Sequence, residues 1–210
     1  MIGIVDYGMG NLGSVTNACR FLGLPAEIVA EPSAMARCSA LILPGVGAFG
    51  DCMAHLSRHG FVDPVKQWLA DDKPFLGICL GLQLLFKESE ESPGVKGLGV
   101  LQGRIRRFQP SPDLKVPQIG WNRVKANLAE CPLFRGIPDK TYFYFVHSYY
   151  AETENESVAA GFSEYGMEYV SAVWKKNMMA VQFHPEKSQK SGLQMLKNFA
   201  EFAAEKAGRS

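Results

Sequence analysis

The first half of the chain alternates short apolar runs with amphipathic stretches of helical length. The apolar runs predict strands at residues 2–6, 26–30, 40–44 and 74–78, and the longer stretches predict helices at residues 11–22, 51–58, 64–70 and 80–87. The run at 40–44 is almost wholly apolar, as expected of a parallel strand covered on both faces. Strand and helix in this rhythm predict an α/β fold, with a mostly parallel central sheet flanked by helices.

The second half changes to short strand-like runs separated by turn residues. Runs at residues 142–146, 158–162 and 169–174 predict an antiparallel extension of the first sheet. A last strand is predicted at 179–183 and a closing amphipathic helix at 192–204. The chain has no internal repeat and no low-complexity linker, and residues 88–99 are interpreted as a surface loop. We therefore expect residues 1–210 to form a single domain.

Composition narrows the class of function. The 210 residues carry a formal net charge of +1 and 47% hydrophobic residues, which favours small-molecule chemistry over binding to nucleic acid or an anionic membrane. The sequence contains no basic leader and no apolar run of the ~20 residues that a membrane helix needs. Its five cysteines are irregularly spaced, without a Cys-x-x-Cys pair, so neither a disulfide framework nor a metal site is expected. A reducing cytoplasm is the expected location.

Cys79 lies in the pattern Gly-x-nucleophile-x-Gly, between a predicted strand and a predicted helix. Such an elbow strains the backbone of the nucleophile, and the flanking glycines, Gly77 and Gly81, remove Cβ atoms that would clash. The sulfur would stand above the carboxyl edge of the sheet, and the start of the helix would favour thiolate over thiol. The pentapeptide alone is equally compatible with a small buried cysteine.

His184 is the histidine best placed to act as a base for Cys79. It follows the last predicted strand and precedes Pro185, which disfavours helical backbone at His184. In an extended chain residues i and i+2 point the same way, so Glu186 would approach the imidazole and stabilise the imidazolium. Alone, this tripeptide is better explained by an ordinary strand-end turn. Together with the elbow it favours a Cys79–His184–Glu186 triad.

An oxyanion site is the third requirement of acyl chemistry. Leu80 offers a backbone N–H directly after the nucleophile, and the glycine-rich loop at Val46 and Gly47 offers a second donor. Loss of one such donor typically costs about 2.7–4 kcal/mol of transition-state stabilisation. Taken singly, the loop is also explained as an ordinary glycine turn.

Two other motifs resemble functional sites of other kinds. The run from Gly8 to Gly13 matches the Gly-x-Gly-x-x-Gly fingerprint of dinucleotide-binding folds, but Asp6 and Tyr7 intervene before the first glycine. A nucleotide-binding α/β protein with an inert Cys79 is therefore an open alternative. His55 and His59 have the i, i+4 spacing of helical metal ligands, yet no catalytic Glu or third ligand accompanies them. We interpret them as part of a solvated helix face.

The elbow segment from Gly77 to Gln83, with His184-Pro185-Glu186 far downstream, resembles the class I (triad) glutamine amidotransferases. The resemblance covers nearly the whole chain, and the separation of 105 residues between Cys79 and His184 is similar to theirs. Within the class, four segments resemble the glutaminase subunits of imidazole glycerol phosphate synthases. These are residues 6–12 (DYGMGNL), 44–50 (PGVGAFG), 118–122 (QIGWN) and 144–150 (YFVHSYY).

The resemblance implies hydrolysis of L-glutamine through a glutamyl thioester on Cys79, without a cofactor. It also implies a set of substrate contacts, namely Gly47, Gln83, Ser148 and Tyr149. A chain of this length leaves no room for an ammonia acceptor site, and the resemblance implies a heterodimer with a (β/α)8-barrel cyclase of histidine biosynthesis, to which ammonia passes. The implied docking residues are Asn11, Trp121, Tyr144 and Lys187. A glutaminase serving another acceptor, or a catalytically silent homologue, remains an alternative.

Overall fold

The structure, a computed structural model, describes residues 1–112, 114–128 and 130–208, and within them an eleven-stranded sheet forms the centre of the molecule. In chain order the strands are β1 Ile2–Val5, β2 Ala26–Val29, β3 Ala40–Gly45, β4 Phe75–Cys79, β5 Gly103–Arg107, β6 Gln118–Ala126, β7 Thr141–His147, β8 Tyr149–Thr153, β9 Ala159–Glu164, β10 Glu168–Lys175 and β11 Met178–Val181. The helices are α1 Leu12–Phe21, α2 Phe49–Arg58, α3 Val62–Ala70, α4 Leu80–Gln83 and α5 Gln189–Ala207.

Five strands form a parallel half in the order β2-β1-β3-β4-β11. Every residue of β1, β3, β4 and β11 is buried, which explains why these segments are apolar without alternation. Strands β2 and β3 pair with opposite edges of β1, so the direction of the strand order reverses beside β1. In open α/β sheets ligands bind outside the carboxyl ends of the strands near such a reversal. Gly45 of β3 is in register with Cys79 of β4 at this edge.

The other six strands extend the sheet in antiparallel pairing. The order continues from β11 through β10, β9 and β6 to β7, while β8 joins β10 to β5. Burial alternates along β7, with Phe143 and Phe145 inside and Tyr142 exposed. That alternation is the pattern of a strand with one face on the core and one toward solvent. The predicted fold class, including the antiparallel extension, is therefore confirmed.

Most predicted elements are confirmed, with ends that differ by at most three residues. Strands β5, β6 and β8 lie in the region predicted as antiparallel, although the sequence pattern does not predict them individually. The strand predicted at 179–183 ends at Val181, so His184 follows it after two intervening residues rather than directly. Among the described residues no helix combines the length and the hydropathy needed to cross a membrane.

The helix predicted at residues 80–87 is wrong in length, because α4 is a single turn that ends at Gln83. The carbonyl groups of Leu84 and Leu85 accept hydrogen bonds from Leu98 (2.8 Å) and Val100 (2.9 Å), partners from the following loop. A continued helix would have used these carbonyls internally. Leu84, Leu85 and Phe86 are all fully buried, so this segment has no solvent-facing side. Tertiary contacts therefore replace the remaining helical turns.

Candidate active site

Cys79 stands at the strained turn between β4 and α4. Its backbone has φ 55° and ψ −109°, a conformation that a residue with a Cβ rarely adopts. A Cβ on Gly81 would collide with the carbonyl oxygen of Leu43, and one on Gly77 would lie 2.6 Å from the carbonyl oxygen of Gly81. Both glycines are thus required by close backbone approach. The turn delivers the sulfur to the carboxyl edge of the parallel strands.

His184 and Glu186 form a buried pair at the same edge of the sheet. The Nδ1 atom of His184 lies 2.8 Å from Oε1 of Glu186, and both side chains are almost completely buried. His184 is extended, with φ −106° and ψ 95°, as Pro185 requires. Pro185–Lys187 then forms a 3₁₀ turn, so the contact with Glu186 is made across a turn and not along a straight strand. The expected extended geometry of residues 184–186 is in this respect wrong.

Backbone and hydroxyl contacts hold this turn in place. The N–H of His184 donates to the carbonyl of Tyr144 (2.9 Å). The hydroxyl of Ser188 donates to the carbonyl of His184 (2.6 Å) and accepts from the N–H of Tyr144 (2.9 Å). The backbone of His184 is therefore linked to Tyr144 of β7 twice: directly through its N–H, and through the Ser188 hydroxyl at its carbonyl. Such a fixed support keeps the ring orientation constant relative to Cys79.

The electrostatics of the pair favour a protonated imidazole. Burial acts to lower the pKa of His184, but hydrogen bonding to Cys79 and Glu186, together with their charges, raises it to about 10. The Nε2 atom is buried and has no hydrogen-bond partner of good geometry among the described residues. The interaction with Cys79 is thus longer or less well aligned than an ideal hydrogen bond, while still contributing to the pKa. Catalytic hydrogen bonds commonly tighten only when substrate binds.

Cys79 and His184 open into one cleft of about 270 Å³, at the lower end of the size of small-molecule sites. The cleft is lined by most of the predicted site residues, namely Val46, Gly47, Cys79, Leu80, Gln83, Ser148, Tyr149 and His184. The set comes from the ends of β3 and β4, from the turn between β7 and β8, and from the segment after β11. A small, amino-acid-sized molecule fits a cleft of this volume.

The glycine loop beside the nucleophile is held by buried side chains. The hydroxyl of Tyr7 donates to the carbonyl of Pro44 (3.0 Å), and the thiol of Cys52 donates to the carbonyl of Val46 (3.4 Å). Gly47 has φ +95°, which strongly favours glycine. Burial raises the pKa of Cys52 to about 11, so this thiol stays protonated and able to donate at neutral pH.

Gln83 is the most constrained of the predicted substrate residues. Its side chain is buried, and its Nε2 atom donates both to the carbonyl of Tyr149 (3.2 Å) and to Oε1 of Gln182 (3.0 Å). Both amide hydrogens are therefore used within the protein. The oxygen of the Gln83 side chain remains as the group with which it can meet a ligand.

Three residues at or behind the cleft are not among the site residues that the sequence predicts. Glu91 lines it, accepts from the N–H of Phe49 (2.7 Å) at the start of α2, and has its pKa raised chiefly by burial. The surface loop at residues 88–99 thus reaches the site. His147 lines the cleft and bonds the carbonyl of Tyr149 (2.7 Å), and burial lowers its pKa to about 4. Gln182 lies behind Cys79. In the sequence it stands out as the one polar residue in the apolar run before His184, and this could have drawn attention to it.

Three of the four predicted docking residues form a cluster, and the fourth, Asn11, has a separate structural role. The rings of Trp121 and Tyr144 meet edge to face at 6.1 Å, and Nζ of Lys187 lies 5.9 Å above the ring of Tyr144. Trp121 is 47% exposed although it is large and apolar. Asn11 instead caps α1, where its side chain accepts from the N–H of Ser14 (3.4 Å).

The competing motifs have structural explanations. Gly8, with φ +82°, packs against His55, and Gly10 packs against Pro44. The imidazoles of His55 and His59 stack 6.0 Å apart, His55 half-buried and His59 exposed. The described part of the chain contains no group of three or more His, Cys, Asp or Glu residues able to hold a metal ion.

The fold and the site have counterparts among known proteins. The family model for "Glutamine amidotransferase class-I" matches residues 3–202. The solved structure of PurLQS from Thermotoga maritima superposes with a TM-score of 0.76 over 96% of this chain and 97% of that one, at 17% identity, which is evidence of a shared fold. The chain therefore belongs to the class-I glutamine amidotransferases and is an enzyme of that class.

More similar sequences narrow the assignment. The imidazole glycerol phosphate synthase subunit HisH of Syntrophotalea carbinolica is 48% identical over 206 residues, covering 96% of this chain and all of that protein. The HisH subunit of Chlorobaculum tepidum is 50% identical over 203 residues, with the same coverage. Within the class, the chain belongs to the family of imidazole glycerol phosphate synthase HisH subunits.

Proposed function

We propose that this chain is the glutaminase subunit of an imidazole glycerol phosphate synthase and hydrolyses L-glutamine at the cleft around Cys79. The observation that carries the proposal is the meeting, in one small cleft, of Cys79 on a strained elbow and His184, which is paired with the buried Glu186. A nucleophile, a base and a group that orients the base are the three components of a catalytic triad.

The chemistry proceeds by proton transfer between the two side chains. His184 accepts the thiol proton, and the Cys79 thiolate attacks the side-chain carbonyl carbon of glutamine. Glu186 keeps the imidazole in one orientation and stabilises its charge, in line with the raised pKa of His184. His184 then protonates the departing ammonia, which leaves a glutamyl thioester. Water cleaves the thioester to release glutamate and restore the thiol.

The oxyanion and the rest of the substrate meet backbone and polar groups around the sulfur. The N–H of Leu80 and those of the Val46–Gly47 loop stabilise the negative oxygen of the tetrahedral intermediate. Ser148, Tyr149 and the side-chain oxygen of Gln83 orient the amino and carboxylate groups of glutamine. All of these residues line the cleft, which supports the assignment.

The ammonia acceptor belongs to a separate cyclase subunit, for which we propose a (β/α)8 barrel. Residues 1–210 are proposed to form one catalytic domain, because a continuous sheet underlies almost the whole family match. The cluster of Trp121, Tyr144 and Lys187 is the proposed centre of the docking surface, with Asn11 at the same carboxyl edge of the sheet. A reducing cytoplasm suits a nucleophilic thiol, and all five cysteines are free.

The substitution Cys79→Ala tests the proposal in the reconstituted complex. Glutamine-dependent synthesis should be lost, because no nucleophile remains, while synthesis supplied with ammonium salts should continue at the wild-type rate. The second measurement is the control for folding and for docking of the subunits. Unchanged glutamate release by the variant would refute the assignment of Cys79.

A further inference from the structure

Gln182 lies behind the active-site cleft, one position beyond the end of β11, and its side chain is fully buried. Its backbone N–H donates to the carbonyl of Ser171 (2.9 Å), so the side-chain amide must be satisfied separately. A buried amide is costly unless its own donors and acceptor are paired. The described residues that line the cleft do not include Gln182, so contact with the substrate does not explain its presence.

The orientation of the Gln182 amide is set by a chain of donors and acceptors. The carbonyl of Tyr149 can only accept, and Nε2 of Gln83 donates to it (3.2 Å). The same nitrogen donates to Oε1 of Gln182 (3.0 Å). Because the oxygen of Gln182 is engaged by Gln83, its amide nitrogen faces the opposite way, and Nε2 lies 3.8 Å from Sγ of Cys79.

We propose that Gln182 is a positioning residue for the Cys79 nucleophile. The Gln83–Gln182 amide pair aims an N–H at the sulfur, which fixes the direction of the sulfur and favours its ionised form. A thiolate is a stronger acceptor than a thiol, and a hydrogen bond to the charged form of a group favours that form. Burial of Gln83 and Gln182 strengthens the effect, since a hydrogen bond is electrostatically stronger in a buried environment. The inference rests on the proposed role of Cys79 as nucleophile.

The short length of α4 increases the importance of a specific donor at Cys79. A long helix would stabilise a thiolate at its N-terminus through its summed dipole, as the sequence led us to expect. The helix after Cys79 has only four residues, so little dipole accumulates. An amide N–H held in a fixed direction supplies stabilisation that the helix does not. His184 complements it, because His184 takes up the proton that the sulfur releases.

The rate of Cys79 alkylation by iodoacetamide, followed by mass spectrometry across about pH 5 to 9, tests the proposal on the full chain. Gln182→Met keeps the volume and removes the donor, so alkylation at neutral pH should slow by about tenfold and its midpoint should move to higher pH. Gln182→Glu adds a negative charge beside the sulfur and should move the midpoint further. With glutamine, kcat should fall by a similar factor while KM stays within about twofold.

Gln118→Met is the matched control, because Gln118 is also buried but bonds to the hydroxyl of Tyr169 (2.9 Å) and not to Cys79. It should leave the alkylation profile of Cys79 unchanged. If Gln182→Met does not fold, the isosteric Gln182→Glu carries the test, since its carboxylate still accepts from Gln83. Wild-type alkylation profiles in folded Gln182 variants would overturn the proposal. Failure of the proposed function would instead appear as glutamate release by the Cys79→Ala variant.

Discussion

At the scale of single residues, the position of Cys79, the proposed nucleophile, depends on the absence of Cβ atoms at Gly77 and Gly81. Cys79 can hold φ 55° only because the strand and helix around it approach closely at two glycines. The backbone strain is of the order of 1–3 kcal/mol and persists because the surrounding packing permits no other path. The elbow is therefore a property of Gly77 and Gly81 as much as of Cys79.

Gly81→Ala should destabilise the protein by about 3 kcal/mol and abolish glutaminase activity, because the new Cβ collides with the carbonyl of Leu43. Urea unfolding and glutamate release measure the two effects. Gly13→Ala is the matched control: Gly13 is in α1, and a Cβ there meets no atom within 4 Å. That variant should gain about 0.5–1 kcal/mol of stability through helix propensity and keep full activity. Equal effects of the two substitutions would contradict this account of the elbow.

The His184–Glu186 pair makes the free energy of unfolding decrease at high pH. The folded pKa of His184 is about 10, above the roughly 6.5 of an exposed histidine. Its contribution to the free energy of unfolding is thus complete below about pH 6.5 and is lost as the pH rises through about 10. Cys79 and Glu186 both raise this pKa, and Glu186→Gln removes the contribution of the carboxylate, so the stability advantage of the wild type over the variant should shrink across that window.

NMR titration of the imidazoles, with urea unfolding at several pH values, checks this prediction. His147 serves as an internal control, because burial lowers its pKa to about 4 and it stays neutral across the same window. His147 affects stability only below about pH 6.5, where the unfolded chain takes up a proton more readily. A His184 that titrates near pH 6.5 in the folded protein would contradict the geometry of the pair.

At the scale of elements, the antiparallel pair β6–β7 contributes side chains both to the core and to the exposed surface. Inward-facing Phe143 and Phe145 pack into the core, while Trp121 and Tyr144 lie opposite each other on the outward face. Alternation along a strand makes this division possible. A large exposed indole beside a tyrosine ring is typical of an interface centre, where both residue types are enriched.

Trp121→Ala should weaken association with the cyclase subunit by about 30-fold, the effect of losing roughly 2 kcal/mol at an interface centre. Titration calorimetry measures the affinity. Phe21→Ala is the control, because Phe21 is 78% exposed but lies on α1 outside the cluster. The affinity of that variant should equal that of the wild type. If both variants bind equally well, the proposed docking surface is wrong.

At the scale of the whole molecule, the proposed docking surface contacts the candidate active site, because the carbonyl of Tyr144 accepts a hydrogen bond from the N–H of His184 (2.9 Å). We expect the isolated chain to be a slow glutaminase, because the carbonyl of Val46 is held by Cys52 and the loop must turn an N–H toward the oxyanion. Addition of the cyclase with an analogue of its substrate should raise kcat for glutamate release by about tenfold or more. Steady-state assays with and without the partner measure the ratio, and full activity of the isolated chain would count against the expectation.

Some features of the chain were predictable because a short run of residue types is enough to mark them. Buried parallel strands need continuous apolar residues, and the elbow needs its two glycines, so β1, β3, β4 and Cys79 could be located from sequence alone. The extended backbone of His184 follows from Pro185 in the same way. Each of these features is marked by residue types in one short segment, although the contact itself can be with a distant residue, as between Gly81 and Leu43.

Only the tertiary structure decided the features that depend on distant partners. The length of α4 is set by Leu98 and Val100, which take the carbonyls that a longer helix would have used. Glu91 reaches the cleft, and Gln182 meets the sulfur, because the fold brings together segments that the sequence separates by many residues. Hydrophobic periodicity records which side of an element is buried, but it carries no information about which distant group will satisfy a given donor or acceptor.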